Sequence, residues 1–496
     1  MNIFKRPMFY AASICAIAAS VSLYTKTLSF VIIVVALLAL FTVIYFKKYK
    51  YITVAIVVAL FASSLYVQLA KIDRVSKLHN KEISGEFLVV SDPDVYEDFN
   101  KVTLKALKCD DLPRDSKYIV FDYKIEKIQM GDIVKADIKL SKIDLYDEYS
   151  LLNYSNGVYA TAKSLKIAKT NLKNPFYKVA GSIRRYANKT VSTNLKGDSA
   201  GLLLALTTGD KSLLGEKFLE KVKTTGISHV IVVSGMHLSI VMLAVFWCID
   251  KLFYSRYIRS LLSIVFVVFV FSVSGFTTSI TRAGTMFIVA SMAPIFNRDN
   301  DSLNSLFTAV AIMLIIAPLS IFNVSLQLSV LSTLAIIWIV PFYYRIITER
   351  FNVKSKVLKS IIGVFLCSIC SVIFTLPVTV RTFGFVSIVS PITNLLITYP
   401  VSLALVLSVI SLAIISLPIV NFFGRLTLFA AKWCAEFTVF TVNKIAKLPI
   451  TVAVLPKSAF WWSVLLIIVV IAYMYFYEYK RKRSDLNANS IRRRIA

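Results

Sequence analysis

Runs of apolar residues long enough to cross a bilayer return along this chain, and that recurrence excludes a single soluble globule. A hydrocarbon core about 30 Å thick is crossed by about 20 helical residues. Met8 to Tyr24, Leu28 to Phe46 and Tyr51 to Ala70 open the chain. After a polar interval come Ile227 to Ile249, Ile258 to Phe276, Ser279 to Phe296, Asn304 to Phe322, Gln327 to Tyr344, Leu358 to Val380, Val386 to Leu417, Asn421 to Val442 and Ser458 to Tyr477. Taken once each, these give about twelve crossings. The reading is a polytopic α-helical membrane protein, and a content of 57% hydrophobic against 17% charged residues agrees with it. Pro294, Pro377, Pro391 and Pro400 fall inside apolar runs. Some segments are therefore expected to be broken or re-entrant, which is tolerated only where protein or water meets the exposed backbone.

A net charge of +28 suggests a nucleic-acid binder, but membrane proteins collect Lys and Arg on cytoplasmic loops for topological reasons, and topology takes the larger share here. Lys5 and Arg6 precede the first span; Lys47, Lys48 and Lys50 stand between the second and third. Both clusters lie on one side if each run crosses, which puts the amino terminus in the cytoplasm and the polar interval outside. The first run has the look of a signal peptide, yet two further spans follow it, so an uncleaved anchor is expected. Nine later crossings bring Arg256 and Arg259, then Arg345, Arg350, Lys354 and Lys356, then the carboxy-terminal basic tail, to the cytoplasmic side.

The interval at 77–170 alternates as strands do, in EISGEFLVV, KVTLKAL, YIVFDYKIEKI and DIVKADIKLSKI, with turns at Asp92-Pro93-Asp94, Leu112-Pro113 and Met130-Gly131-Asp132. Short strands without helices between them predict a small closed β-barrel, an OB-like fold being one candidate. Many such barrels bind single strands through a basic groove and stacking aromatics. Tyr96, Phe99, Tyr118, Phe121 and Tyr123 are of the right type, but aromatics alternating in strands more often fill a core, and local acids offset the lysines. Of the six cysteines, Cys109 stands alone in this interval and Cys15, Cys248, Cys367, Cys370 and Cys434 lie in or beside apolar runs, a spacing that builds neither a disulfide framework nor a zinc site.

A basic amphipathic stretch follows at 171–198, with Phe176, Val179, Ile183, Tyr186 and Ala187 at helical spacing and Lys178, Arg184, Arg185 and Lys189 on other faces. It reads as a helix on the membrane surface, held partly by anionic lipid. From Ser199 a short helix ends near Gly209; a polar linker, Asp210-Lys211-Ser212, leads to a second helix stopping at Gly226. Neither is long enough to span. The crossing after them carries His229, Ser234, Gly235 and His237, and Arg282 lies in a later apolar run. Polar groups at membrane depth are expected to face protein or water.

His229 and His237 are eight residues apart, too distant axially to chelate one ion, so neither a metal site nor a cofactor is expected. Ser234 and His237 stand at i, i+3, where a histidine-activated serine is conceivable. No oxyanion site or orienting group accompanies them, and no catalytic residue is expected. Two readings stay open: polar residues satisfied between packed helices, or the wall of a hydrated route. Arg282 pairs with an acid such as Asp210, meets a passing phosphate, or snorkels.

The string LLLALTTGDKSLLGEKFLEKVKTTGISHVIVVSGMHLSIV closely resembles the signature of the ComEC competence proteins. GFTTSITRAGTMFIVASM, APLSIFNVSLQLSVLSTLAII and TLPVTVRTFGFVSIVSPITNLLITYP keep that family's order downstream. The resemblance implies a multi-pass channel of the bacterial plasma membrane that passes transforming single-stranded DNA inward, with an extracytoplasmic OB-like domain that meets the DNA. It implies a separate DNA receptor outside and a motor or strand-binding protein inside, since no GxxxxGK[ST] loop is present to use ATP. Many family members carry a metallo-β-lactamase-like nuclease; with only His79, His229 and His237, this chain is expected to lack one.

The expected organisation is three amino-terminal helices at 1–76, the barrel at 77–170, the surface helix at 171–198, the channel domain at 199–480 and a cytoplasmic tail at 481–496. Gly209, Asp210, His229, Ser234, Gly235, His237, Arg282, Gln327 and Asn394 are assigned to the DNA path. Tyr96, Tyr118, Tyr123, Arg184 and Arg185 are assigned to DNA contact outside it. A solute or lipid transporter and an intramembrane serine hydrolase are the alternatives.

Overall fold

The computed structural model describes residues 66–95, 99–109, 111–122, 128–142, 153–231, 235–274, 278–293 and 301–495, with 58–59, 62–63 and 295 besides. The expected spans Met8 to Tyr24 and Leu28 to Phe46, and most of Tyr51 to Ala70, lie outside these residues.

The polar interval is a closed barrel. Its strands are β1 (Glu82–Val89), β3 (Asn100–Lys108), β4 (Lys117–Asp122), β5 (Asp132–Lys142) and β6 (Val158–Lys173), with a two-residue β2 (Asp94–Val95) on the edge of β3. The order β1-β5-β6-β4-β3 closes because β1 also pairs with β3, across a register shift at Glu86/Phe87. All pairs are antiparallel except β4 with β6. Alternation drives this closure: Phe87, Val102, Leu104, Tyr118, Val120, Val134, Ile138 and Leu140 point inward and are essentially unexposed. The sequence pattern marks four of the five strands. It misses β6, whose VYATAKSLKIAKTNLK is rich in lysine and loses alternation beyond Ala162, where Leu165 and Lys166, then Ala168 and Lys169, are exposed side by side; that strand carries the barrel past Thr170 to Lys173.

Helices follow: α1 (Pro175–Asn194), α2 (Gly197–Thr208), α3 (Glu216–Thr224), α4 (Ser228–Ile231), α5 (Gly235–Leu252), α6 (Arg256–Ser274), α7 (Thr278–Met292) and α8 (Ser302–Ile316). Then come α9 (Val324–Leu334), α10 (Val340–Arg350), α11 (Lys356–Phe383), α12 (Ser390–Ile415), α13 (Asn421–Ile445) and α14 (Ala459–Ile495), with strands β7 (Phe385–Ser387) and β8 (Val452–Val454) paired antiparallel. Among the described residues five helical stretches are long and apolar enough to cross a membrane: Gly235–Leu252, Val324–Arg350, Lys356–Phe383, Ser390–Ile415 and Ala459–Arg481. The protein is thus a membrane protein with an amino-terminal β domain.

Three expected spans take a different form. Asn304 to Phe322 is not one helix: α8 stops at Ile316, and Pro318–Phe322 winds into a 3-10 turn. Leu319 and Phe322 of that turn pack into the barrel's core, which holds it out of helical continuation. Val386 to Leu417 begins as β7, and its helix starts only at Ser390. Pro377 and Pro400, expected to break helices, lie inside α11 and α12 without interrupting them. Between α9 and α10 the chain stays helical but widens to a π-turn at Ala335–Ile339, just before Pro341, which has no N–H to give the helix.

The chain divides into two units. One takes in the barrel, α1, α2 and α4 to α8, together with 401–437; the other takes in 216–228, 327–400 and 438–496. In the first, Asn323 caps α9 by accepting from Leu326 N at 3.2 Å and donates to Asn156 Oδ1 at 2.7 Å, fixing the barrel's 155–156 turn to the helical region. In the second, Tyr343 donates to Val470 O at 3.2 Å, and Arg481 lies 3.6 Å from Glu349.

Candidate functional site

The signature segment builds three local structures. The first is the turn after α2. Gly209 closes that helix with φ +79, its N–H bonded to Ala205 O at 3.2 Å. Asp210 accepts from Asn188 Nδ2 at 3.0 Å and from Ser212 N at 2.9 Å. Arg184 of α1 donates to Thr208 O at 2.9 Å and to Val273 O at 2.7 Å. An arginine reaching two helix-end carbonyls supplies donors that those termini lack. Asp210 and Arg184, assigned from sequence to the path and to DNA, are therefore committed to holding α1, α2 and α6 together. Arg185 Nη2 donates to Ser182 Oγ at 3.3 Å within α1, and its Nη1 is buried beside Gly181.

The second lies where α5 begins. Gly235 is the first residue of α5, and a Cβ there would stand 3.1 Å from both Ala283 Cβ and Arg282 Nη2. The missing side chain lets α5 approach α7 at the guanidinium. Arg282 is 6% exposed and His237 1%, both deep in this packing, and Arg282 Nη1 reaches Met286 Sδ at 3.7 Å. Leu238, Met242, Val267, Phe271, Ile280 and Ala283 form the apolar cluster beside them. Arg282, Gly235 and His237 thus fall in one region of α5 and α7. His229 is on α4 and exposed, and Ser234 lies outside the described residues. Among the described residues no three His, Cys, Asp or Glu side chains gather as metal ligands.

The third is a joint in the other unit, where two signature strings meet. Gly226 of the TTGIS string has φ +75, a backbone that favours glycine, and a Cβ on it would come within 2.6 Å of Ser390 Cβ and 2.7 Å of Ser387 Cβ. Ser390 Oγ donates to Gly226 O at 3.4 Å. Asn394 Nδ2 reaches Ser390 Oγ at 3.3 Å and Ser368 Oγ at 2.9 Å. Asn394 is thus the centre of a hydrogen-bonded string running through the apolar helices α11 and α12. Lys221 Nζ is held by Asn443 Oδ1 at 2.7 Å in the same unit. Gln327 is half-buried on α9.

The barrel's outer surface places aromatics differently from expectation. Tyr118 is 0% exposed, its ring edge-on to Phe87 at 6.5 Å inside the core, so it does not stack on a base. The physical reason is parity: Tyr118 and Val120 point inward together, and Phe121 takes the other side, where it is half-buried and packs against the barrel's cluster. Tyr96 and Tyr123 lie outside the described residues. Register puts Lys101 of β3 opposite Phe121, and Phe121 opposite Lys163 of β6, so one row across the outer face reads Lys, Phe, Lys. Phe99 stands edge-on to Phe121 at 5.6 Å. Four positions along, Lys105 and Lys117 are paired on the same face, and Asp115 binds Lys105 at 2.7 Å. That hydrogen bond holds the Asp115 carboxyl below its usual range.

Against known proteins, residues 206–480 match the profile of the family described as "Competence protein". The chain belongs to the competence-protein family. The match begins in α2 and runs into α14, so it covers the Gly209 turn, the Gly226 joint, Arg282 and Asn394, and the barrel precedes it. ComE operon protein 3 of Bacillus subtilis (strain 168) is 26% identical over 153 residues, 31% of this chain, and the aligned part is 20% of that protein's length. No solved structure matches.

Proposed function

We propose that this protein conducts single-stranded DNA inward across the bacterial plasma membrane during competence. The observation that carries the reading is the match of residues 206–480 to the competence-protein family. Three features support it. Apolar helices of spanning length supply the membrane body. The Lys101–Phe121–Lys163 row, with Phe99 beside it, offers a ring for base stacking between cations for phosphates, the combination that sequence-tolerant single-strand binders use. The polar groups of the helical region are sparse and mostly neutral, as at Ser368, Ser390 and Asn394, and few fixed cations mean that a phosphodiester chain passes without being held, since affinity grows with each neutralised phosphate.

In this reading the barrel lies outside the cell, both termini lie inside, and Arg282 with Gly235 and His237 forms part of the wall of the route. The pull comes from a cytoplasmic motor or strand-binding protein, and a receptor outside delivers the DNA. Reconstitution tests it: purified protein in liposomes with a single-strand-binding protein trapped in the lumen should accumulate a fluorescent single-stranded oligonucleotide and exclude the same sequence as duplex. Passage of small solutes with no oligonucleotide entry would instead indicate a solute transporter.

A further inference from the structure

Helix α1 holds a second binding surface. Over Pro175–Asn194 it carries Lys178, Arg184, Arg185 and Lys189 and no acid. Arg184 is used in holding α2 and α6 through their carbonyls. On another face Pro175, Val179, Ile183 and Tyr186, spaced at i, i+4, i+8 and i+11, line an open groove of about 540 Å³ with Lys178 and Ser182 at its rim. Such spacing keeps all four on one side of a helix. Arg185 Nη2 donates to Ser182 Oγ at 3.3 Å, which brings that nitrogen to the rim, while Nη1 is buried beside Gly181.

Position decides what such a groove meets. The Tyr186 hydroxyl donates to Leu412 O at 3.1 Å, near the carboxy-terminal end of α12, a helix of membrane-spanning length and apolarity. Just beyond that end Leu417, Ile419, Phe422 and Phe423 are 56%, 98%, 73% and 61% exposed. An apolar surface of this kind is stable against lipid and not against water. The groove therefore lies against the carboxy-terminal end of α12, with an apolar floor and a cationic rim.

We propose that this groove seats one acyl chain of an anionic glycerophospholipid, with Lys178 and Arg185 taking its phosphate. The floor favours a lipid over a nucleic-acid strand: it is aliphatic apart from Tyr186, whose hydroxyl is already given to Leu412. The inference rests on the membrane reading of α12 and is independent of DNA transport.

Photo-crosslinking of the full chain in nanodiscs tests it, using phosphatidylglycerol or phosphatidylcholine with a diazirine on the acyl chain and mapping the label by mass spectrometry. Label from phosphatidylglycerol is expected on the peptide spanning Pro175 to Tyr186, well above that from phosphatidylcholine. Lys178→Glu and Arg185→Glu should each lower it about fivefold, the usual weight of one basic residue near an anionic lipid surface, with labelling of the Ala459–Arg481 helix unchanged. Val179→Trp, which fills the groove and keeps its charges, should lower it too. Equal labelling by the two lipids, or labelling indifferent to all three variants, would overturn the proposal. So would loss of the label when a single-stranded oligonucleotide is added, which would assign the groove to nucleic acid.

Discussion

Gly226 leaves no room for a side chain, and the consequence is measurable. Gly226→Ala sets a Cβ 2.6 Å from Ser390 Cβ at φ +75, and a strained, overpacked position of this kind costs about 1–3 kcal/mol. The variant should unfold at a lower temperature and be cut faster by protease than a Gly157→Ala control, which has φ +75 but nothing near its Cβ. On the barrel, Phe121→Ala should weaken single-strand binding by about 1–3 kcal/mol in fluorescence anisotropy, while Tyr118→Phe should leave it unchanged. Removing Lys101 or Lys163 should lower the salt dependence of binding by about 0.7 each. From sequence, Tyr118 and not Phe121 is assigned to DNA contact. Lys-Tyr-Ile-Val-Phe-Asp is apolar at four consecutive positions, so its parity is set by pairing with β3 and β6 and not by its own pattern.

Elements were legible where one period dominates and hidden where a neighbour decides. The barrel follows from alternation, and α2 and α3 from their glycine stops at Gly209 and Gly226. The 3-10 turn at Pro318–Phe322 and the start of α12 at Ser390 were not legible: hydropathy is the same whether Leu319 faces lipid or the barrel's core. Asn323→Ala removes both the cap of α9 and the bond to Asn156, and should increase hydrogen exchange at 155–157 and in the first turn of α9 together. The barrel's own stability has an alkaline limit. Burial pushes Tyr159 up to about 12, above its unfolded value near 10, so its contribution is complete below about pH 10 and is lost as pH rises toward 12. Burial raises Tyr118 in the same direction. Tyrosinate absorbance should appear together with loss of exchange protection in the strands, and Tyr159→Phe should move that loss to higher pH; tyrosinate forming in an intact barrel would contradict the packing.

For the molecule as a whole, the net charge of +28 resembles that of a nucleic-acid binder, yet some of its cations serve local contacts: Arg184 on carbonyls, Lys105 on Asp115, Lys221 on Asn443. This is why net charge pointed to no site. Of the residues assigned to a DNA path, Gly235, His237 and Arg282 gather in one unit and Asn394 centres a polar string in the other. The most direct test of inward DNA conduction is to delete the gene in its host, restore it as wild type or as Arg282→Leu, confirm that both proteins reach the membrane, and follow internally labelled DNA into the cytoplasm. Label should be absent from the cytoplasm of the deletion strain, return with the wild-type gene and remain low with Arg282→Leu. Normal arrival of label in the deletion strain, with transformation intact, would contradict the account.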